Sequence, residues 1–302
     1  MKTTQEILNE FYSGKSIDTI RAYQKDLESF SQYMGTTSIV DAIDQLLSLP
    51  DSQANLTVLY YRTQIQESGL SISSINRRIS SLRSLAKKAY KYKAINWLLD
   101  LKNIKTPPQS SKREMDAHAV KSLFSSFSGR QNSKKEKRDL AILRLLYDLA
   151  LKRGSVVQLD MEDLKLRSNM IFVTGLNGDQ RRAKRLPPVT KKAIQEWITV
   201  RGEEPGPLFV NFDHAKKGKR LSSTSVYRIV KEAGKQSGLS ITPDELRQAA
   251  IKEALKNASR LGIEDKDVLT LTDHKSVTSL KRYLKNREEI QETLSISLSE
   301  QN

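Results

Sequence analysis

IKTPPQSSKREMD, residues 104–116, divides the chain. It holds Pro107, Pro108, Ser110 and Ser111 among charged and amide residues and has no apolar periodicity, which is linker chemistry. Working outward from it gives the domain organisation. Residues 1–103 form one domain, 104–116 the linker and 117–302 a second domain. The charge divides unevenly across this boundary. Residues 1–103 carry 13 Lys/Arg against 10 Asp/Glu, and the remainder carries 38 against 25.

Over all 302 residues, 51 Lys and Arg face 35 Asp and Glu, a formal net charge of +16. Such an excess points to a polyanionic partner, with nucleic acid first. The chain has no cysteine, which excludes disulfides, thiolate metal sites and cysteine nucleophiles. Its three histidines, His118, His214 and His274, are widely separated, so no metal site is expected. Phosphate-loop and dinucleotide fingerprints are missing, so no cofactor is expected either. No apolar run approaches the roughly 20 residues of a membrane span. The opening MKTTQEILNEFYSG carries no apolar signal stretch, so a cytoplasmic protein without a membrane partner is expected.

The first domain reads as helical. Ser16 caps a segment in which Ile20, Tyr23, Leu27, Phe30 and Met34 recur at helical spacing. A second helix is expected over 54–67 and a third over 71–93. In the third, Ile72, Ile75, Ile79, Leu82, Leu85, Ala86 and Ala89 form one stripe. At about 100° per residue, Arg77, Arg83, Lys87, Lys88 and Lys91 span the opposite arc. With Arg78 and Lys93 the segment holds seven bases and no acid, where a merely solvated face usually mixes signs. This face is the expected contact with DNA phosphates. Ser73, Ser74 and Asn76 at its start are in reach of phosphates or bases.

The second domain reads as mainly helix with a small antiparallel sheet. A helix is expected over 134–152, a strand at Met170–Val173 and an Asn177-Gly178 turn. Arg181, Arg182, Lys184 and Arg185 lie on the return arm, and a third strand is expected at Leu208–Val210. The loop 214–220 carries Lys216, Lys217, Lys219 and Arg220, read as backbone contacts to DNA or a solvated turn. Further helices are expected over 222–237, 242–257, 265–271, 276–284 and 287–294.

Several stretches together resemble the tyrosine recombinase/phage integrase family. TIRAYQKDLESF (19–30) and SINRRISSLRSLAKKAY (74–90) resemble its core-binding (SAM-like) domain. LRLLYDLALKRGSVVQLDMEDL (143–164), the hairpin 170–187, DELRQAAIKEAL (244–255) and LTDHKSVTSLKRYL (271–284) resemble its catalytic domain. His274 precedes Tyr283 by nine residues, the family spacing. The resemblance implies that a tyrosine oxygen attacks a DNA phosphate, that two arginines clamp the non-bridging oxygens, and that a hairpin lysine protonates the leaving oxygen. It also implies a two-domain clamp on double-stranded DNA and self-association through the C-terminal segment, with docking in cis on its own domain as the alternative.

Residue by residue, Tyr283 stands at the nucleophile, Arg247 at the second arginine and His274 at the late histidine. The first arginine falls on Lys152, with Arg153 adjacent; lysine lacks the planar two-donor fork. Asp244 stands where the family has a histidine, and a carboxylate there repels phosphate unless it serves only as a helix N-terminal residue. The hairpin lysine has no clear heir, although Lys184 or Arg182 fits if the hairpin folds back. Lys152, Arg247, His274 and Tyr283 therefore read as a vestigial site. The resulting expectation is not an enzyme. It is a sequence-specific repressor of phage or prophage lysogeny genes in a bacterial host, similar to the recombinase-fold master repressor of SPbeta-type phages, with an antirepressor as a further partner. The alternative is an active recombinase or integrase that uses Tyr283.

Overall fold

The computed structural model describes residues 2–105, 115–127, 133–175, 181–213, 217–264, 266–272 and 280. The chain forms two compact units, Met1–Lys112 and Arg113–Asn302. Its architecture is mainly helical, with one small antiparallel sheet of three strands among the described residues.

The first unit contains α1 (Thr4–Tyr12), α2 (Ile17–Met34), α3 (Ile39–Ser48), α4 (Asp51–Glu67) and α5 (Ile72–Lys91). Hydroxyl side chains start four of them. Thr3, Ser16, Ser38 and Ser71 each accept a hydrogen bond from a backbone N–H of the first turn. Gly35 ends α2 at φ 68°, a left-handed conformation that favours glycine. α1 and α3, unread in the sequence, are short helices that bury Ile7, Leu8 and Phe11, and Ala42, Ile43 and Leu46. They pack with Leu27, Phe30, Val58, Tyr61, Ile75, Ile79 and Leu82 into one core.

Beyond α5, residues 95–104 form neither helix nor strand, and Ile95, Trp97, Leu99 and Leu101 are buried in alternation. Polar side chains pin this stretch. Asn55 accepts from the Asp100 N–H at 2.9 Å, and Arg62 donates to the Lys102 carbonyl at 3.2 Å. Asn76 donates to the Ile104 carbonyl and accepts from its N–H, both at 2.8 Å. Ile104, read as the start of the linker, is thus fastened to α5.

The second unit contains α6 (Ala117–Ser125), α7 (Lys134–Asp148), α8 (Arg153–Gln158), β1 (Leu164–Lys165), β2 (Met170–Val173) and β3 (Arg182–Arg185). α9 (Pro188–Arg201), α10 (Ser223–Gln236), α11 (Pro243–Arg260) and α12 (Val268–Thr272) follow. The sheet order is β1-β2-β3, with Ile171 paired to both Leu164 and Lys184. Leu140 to Leu146 of α7 pack against Ile194 and Trp197 of α9. Trp197 is fully buried and its Nε1 donates to the Leu208 carbonyl at 2.8 Å.

Three expectations are corrected. Leu208–Val210 is not a strand; only single bridges, such as Val210 with Arg220, form there, and the third strand is Leu164–Lys165. The helix expected to reach residue 152 ends at Asp148, because Ala150 takes the left-handed φ of 46°. Pro188 does not merely close the hairpin but opens α9, where its fixed φ suits a first helical turn. The Asn177-Gly178 turn and the helices expected over 276–284 and 287–294 lie outside the described residues.

Candidate functional site

Thr242 starts α11 with a reciprocal cap. Its hydroxyl accepts from the Glu245 N–H, and the Glu245 carboxylate accepts from Thr242 N–H at 2.8 Å. Asp244 lies in that first turn, exposed, where the helix dipole favours an acid. One turn on, Arg247 is buried at 7 % exposure and donates from Nη2 to the Thr272 carbonyl. Lys184 of β3 is equally buried. Its Nζ donates to the Leu271 carbonyl at 2.8 Å and to the Thr270 carbonyl at 3.1 Å.

A strand lysine and a helix arginine thus meet on three consecutive carbonyls of α12. Helix ends leave their last carbonyls without intrahelical partners and carry the negative end of the dipole, so cations are favoured there. His274 lies two residues beyond this anchored end; His274 and Tyr283 themselves lie outside the described residues. The hairpin lysine lacking a clear heir in the sequence therefore has a placed candidate. Period-two alternation cannot reveal this, because nothing in RRAKR distinguishes Lys184 from its neighbours until β3 pairs with β2.

Lys152 is exposed and precedes α8, so it does not continue α7. The Arg153 guanidinium lies 5.8 Å from the ring centroid of Tyr227 on α10. Arg220, read as a DNA contact, donates to the Val157 and Leu159 carbonyls at 2.8 and 3.1 Å and pairs with Asp160, so it caps the end of α8. Arg181 pairs with Asp163 and lies 5.0 Å from the Phe172 ring centroid. Arg182 and Arg185 are exposed on β3, and Lys217 and Lys219 are exposed on their loop; Lys216 lies outside the described residues.

On α5 the bases part into two kinds. Arg77 donates to Asp26 and to the Ala22 carbonyl. Arg78 donates to Ser29, whose hydroxyl also accepts from Tyr61. Arg83 donates to the Leu101 carbonyl at 2.7 Å and to Asn103 at 2.6 Å. Asn76 holds Ile104. Lys87 and Lys91 are exposed and Lys88 is half-buried. Ser73 and Ser74 stand at the helix start beside the Ser71 cap. Sequence reasoning missed Asp26. Its signal is an acid set beside Leu27 on the apolar side of α2, where burial demands a cationic partner.

Among the described residues, a five-helix unit is followed by a helical unit with a three-stranded sheet, in which β3 and α11 bring Lys184 and Arg247 to one helix end. Residues 113–289 match the phage integrase family, and residues 12–93 match the phage integrase N-terminal SAM-like domain. The chain belongs to the phage integrase, or tyrosine recombinase, family.

It is 30 % identical to a tyrosine recombinase of Synechocystis sp., covering 95 % of this chain and 92 % of that protein. It is also 30 % identical to a tyrosine recombinase of Synechococcus elongatus, covering 92 % of this chain and 87 % of that protein. Among solved structures, the fold is shared with the Tn1549 transposon integrase in complex with transposon right end DNA. That match has TM-score 0.69 and 15 % identity and covers 97 % of this chain and 100 % of the other. The fold is shared too with XerH recombinase bound to palindromic difH substrate, at TM-score 0.68 and 18 % identity, covering 93 % and 80 % of the two chains.

These names overturn the expectation that the protein is not an enzyme, since both cyanobacterial relatives are named recombinases. They also give the repressor expectation no support. Asp244 is an exposed first-turn acid, and Lys184 is buried at the helix end with Arg247. Among the described residues, no helix is long and apolar enough to cross a membrane.

Proposed function

We propose that this protein binds duplex DNA and cuts and rejoins its strands at a specific site, with Tyr283 as the nucleophile. The single observation that carries this reading is the meeting of Lys184 and Arg247 on the carbonyls of α12, just ahead of His274. In this reading the Tyr283 oxygen attacks phosphorus and forms a phosphotyrosine, and the P–O bond to one deoxyribose breaks. Arg247 stabilises the charge gathered on the non-bridging oxygens. Lys184 gives a proton to the departing oxygen. Attack by a deoxyribose hydroxyl on the phosphotyrosine reverses the step and reseals a strand. The net charge of +16 and the exposed bases of α5 and β3 supply the backbone attraction.

The test begins with duplexes selected for binding to the full-length protein and then nicked, so that the released end diffuses away. An SDS-resistant protein–DNA adduct should form with the wild type and be absent with Tyr283→Phe. Specific binding of the nicked duplex with no adduct at any time would overturn the reading. An occupancy map in the host adds the biological arm. One or two sites at the ends of an element fit strand exchange, and many sites over promoters would shift the reading to transcriptional control.

A further inference from the structure

Asp26 is the least expected charge in the first unit. It lies on α2, is 1 % exposed, and faces the arginines of α5. Its Oδ2 accepts from Arg77 Nη1, and its Oδ1 lies 3.9 Å from Arg78 Nε. Burying a carboxylate is costly unless cations compensate it, so this placement calls for a role beyond filling space.

The network around it joins three helices. Arg78 of α5 and Tyr61 of α4 both donate to Ser29 on α2, one turn from Asp26. Arg77 differs from Arg78 in exposure. The Arg78 side chain is 23 % exposed, whereas that of Arg77 is 44 % exposed and reaches the surface. There it lines a cleft of about 410 Å³ together with Arg21, Gln24, Lys25 and Glu28 of α2. Arg21, which pairs with Asp18 at 3.8 Å, Lys25 and Arg77 bring three cations to this cleft beside Glu28. Nη1 of Arg77 is tied to Asp26 and to the Ala22 carbonyl, while the side chain as a whole stays 44 % exposed.

We propose that Asp26 is a positioning residue for DNA binding, holding Arg77 across the α2–α5 cleft so that its guanidinium, with Arg21 and Lys25, presents one anion site to a duplex phosphate. This rests on the DNA-binding part of the proposed function. An unanchored arginine samples many rotamers and loses entropy when it docks; a fork tied at one nitrogen has met that cost during folding.

Burial raises the Asp26 carboxyl above its ordinary range, against the opposing pull of Arg77 and Arg78. The charged or titratable groups facing it are those two arginines of α5 and, through Ser29, the Tyr61 phenol of α4. On acidification Asp26 therefore takes up its proton at a higher pH than a free aspartate. The anchor of Arg77 weakens there, and affinity for DNA should fall above the pH at which other carboxylates titrate.

The test measures affinity of the full-length protein for a labelled duplex of arbitrary sequence, about three helical turns long, as salt is varied. Asp26→Asn, Arg77→Gln and the double variant complete a cycle. Each single variant should weaken binding about five- to tenfold at ~0.1 M salt and lower the salt slope by about 0.9, the loss of one phosphate contact. The double variant should match Arg77→Gln alone, since Asp26 acts through Arg77. Equal further loss from Asp26→Asn in the Arg77→Gln background would overturn the proposal. Should Asp26→Asn not fold, the pH profile decides without it: the acid-side loss of affinity should be present in the wild type and absent in Arg77→Gln, and the same profile in both would overturn the proposal. A wild type that binds no duplex at all would sink the proposed function instead.

Discussion

On α5, Arg77 and Arg83 from the outer arc and Arg78 from beside the apolar stripe all turn back to the domain, each to a named carbonyl, hydroxyl or carboxylate. In the second unit, Lys184 and Arg247 begin on different elements and are buried on one short helix end. Both regions looked alike as runs or singles of positive charge. They differ in what each base gives up. Arginine's several donors let it hold structure with one arm and keep another exposed, as Arg77 does. The lysines of α5 have a single ammonium each, and Lys87 and Lys91 leave it in solvent. A buried lysine such as Lys184 needs acceptors for its ammonium, and two carbonyls engage it, so it marks a place where the fold has a specific use for the charge.

The comparison can be broken most sharply in the buried cluster. Lys184→Met keeps the stem and removes the ammonium. Strand cleavage should fall by about 10²–10³, the usual cost of one preorganised donor, while duplex affinity stays nearly constant. Quenched-flow cleavage beside equilibrium binding checks this, and a parallel loss of both would place Lys184 with the binding bases. On α5 the reverse is expected. Lys87→Gln with Lys91→Gln should lower the salt slope of DNA binding by about 2, since each phosphate contact contributes about 0.9. An unchanged slope would make that face simple solvated surface.

Arg83→Gln should separate holding from binding on the same helix. Loss of its bonds to Leu101 and Asn103 should cost about 1–3 kcal/mol in denaturant unfolding of the first unit, with little change in the salt slope. The smallest effect is expected at Ala150, just ahead of Lys152. Its left-handed φ of 46° strains a residue with a Cβ, against a buried methyl that glycine would lose. Ala150→Gly should stabilise the protein by about 0.5–1 kcal/mol in a melting curve.

Much of the fold was legible because its cues are local. Ser16 before an apolar period marked α2, and Ser71 before the Ile75, Ile79 and Leu82 stripe marked α5. α9 was missed because Pro187-Pro188 reads as an end, although a proline at the first helical position is a beginning. Leu208–Val210 misled because an apolar triplet buried around Trp197 resembles a strand until its pairing is seen. In the candidate site, Arg247 was legible from its box. The place of Lys184 depends on the β2–β3 register and on α12, contacts far apart in the chain that no spacing encodes. The partners of Arg77, Arg83, Arg220 and Asn76 were illegible for the same reason, and composition counted the three arginines as available charge.

The pinned stretch from Ile95 to Ile104 has a practical consequence for dissecting the molecule. Helix α5 ends at Lys91, and the match to the N-terminal SAM-like domain stops at residue 93, which invites cutting the chain there. Such a fragment would lack Trp97, Leu99 and Leu101 and strip an apolar trough bare, while Arg83 and Asn76 would lose their carbonyl partners. It should be recovered as aggregate. A fragment carried past Ile104 should stay monomeric on a sizing column, and only that longer piece is fit for measuring what the first unit does alone.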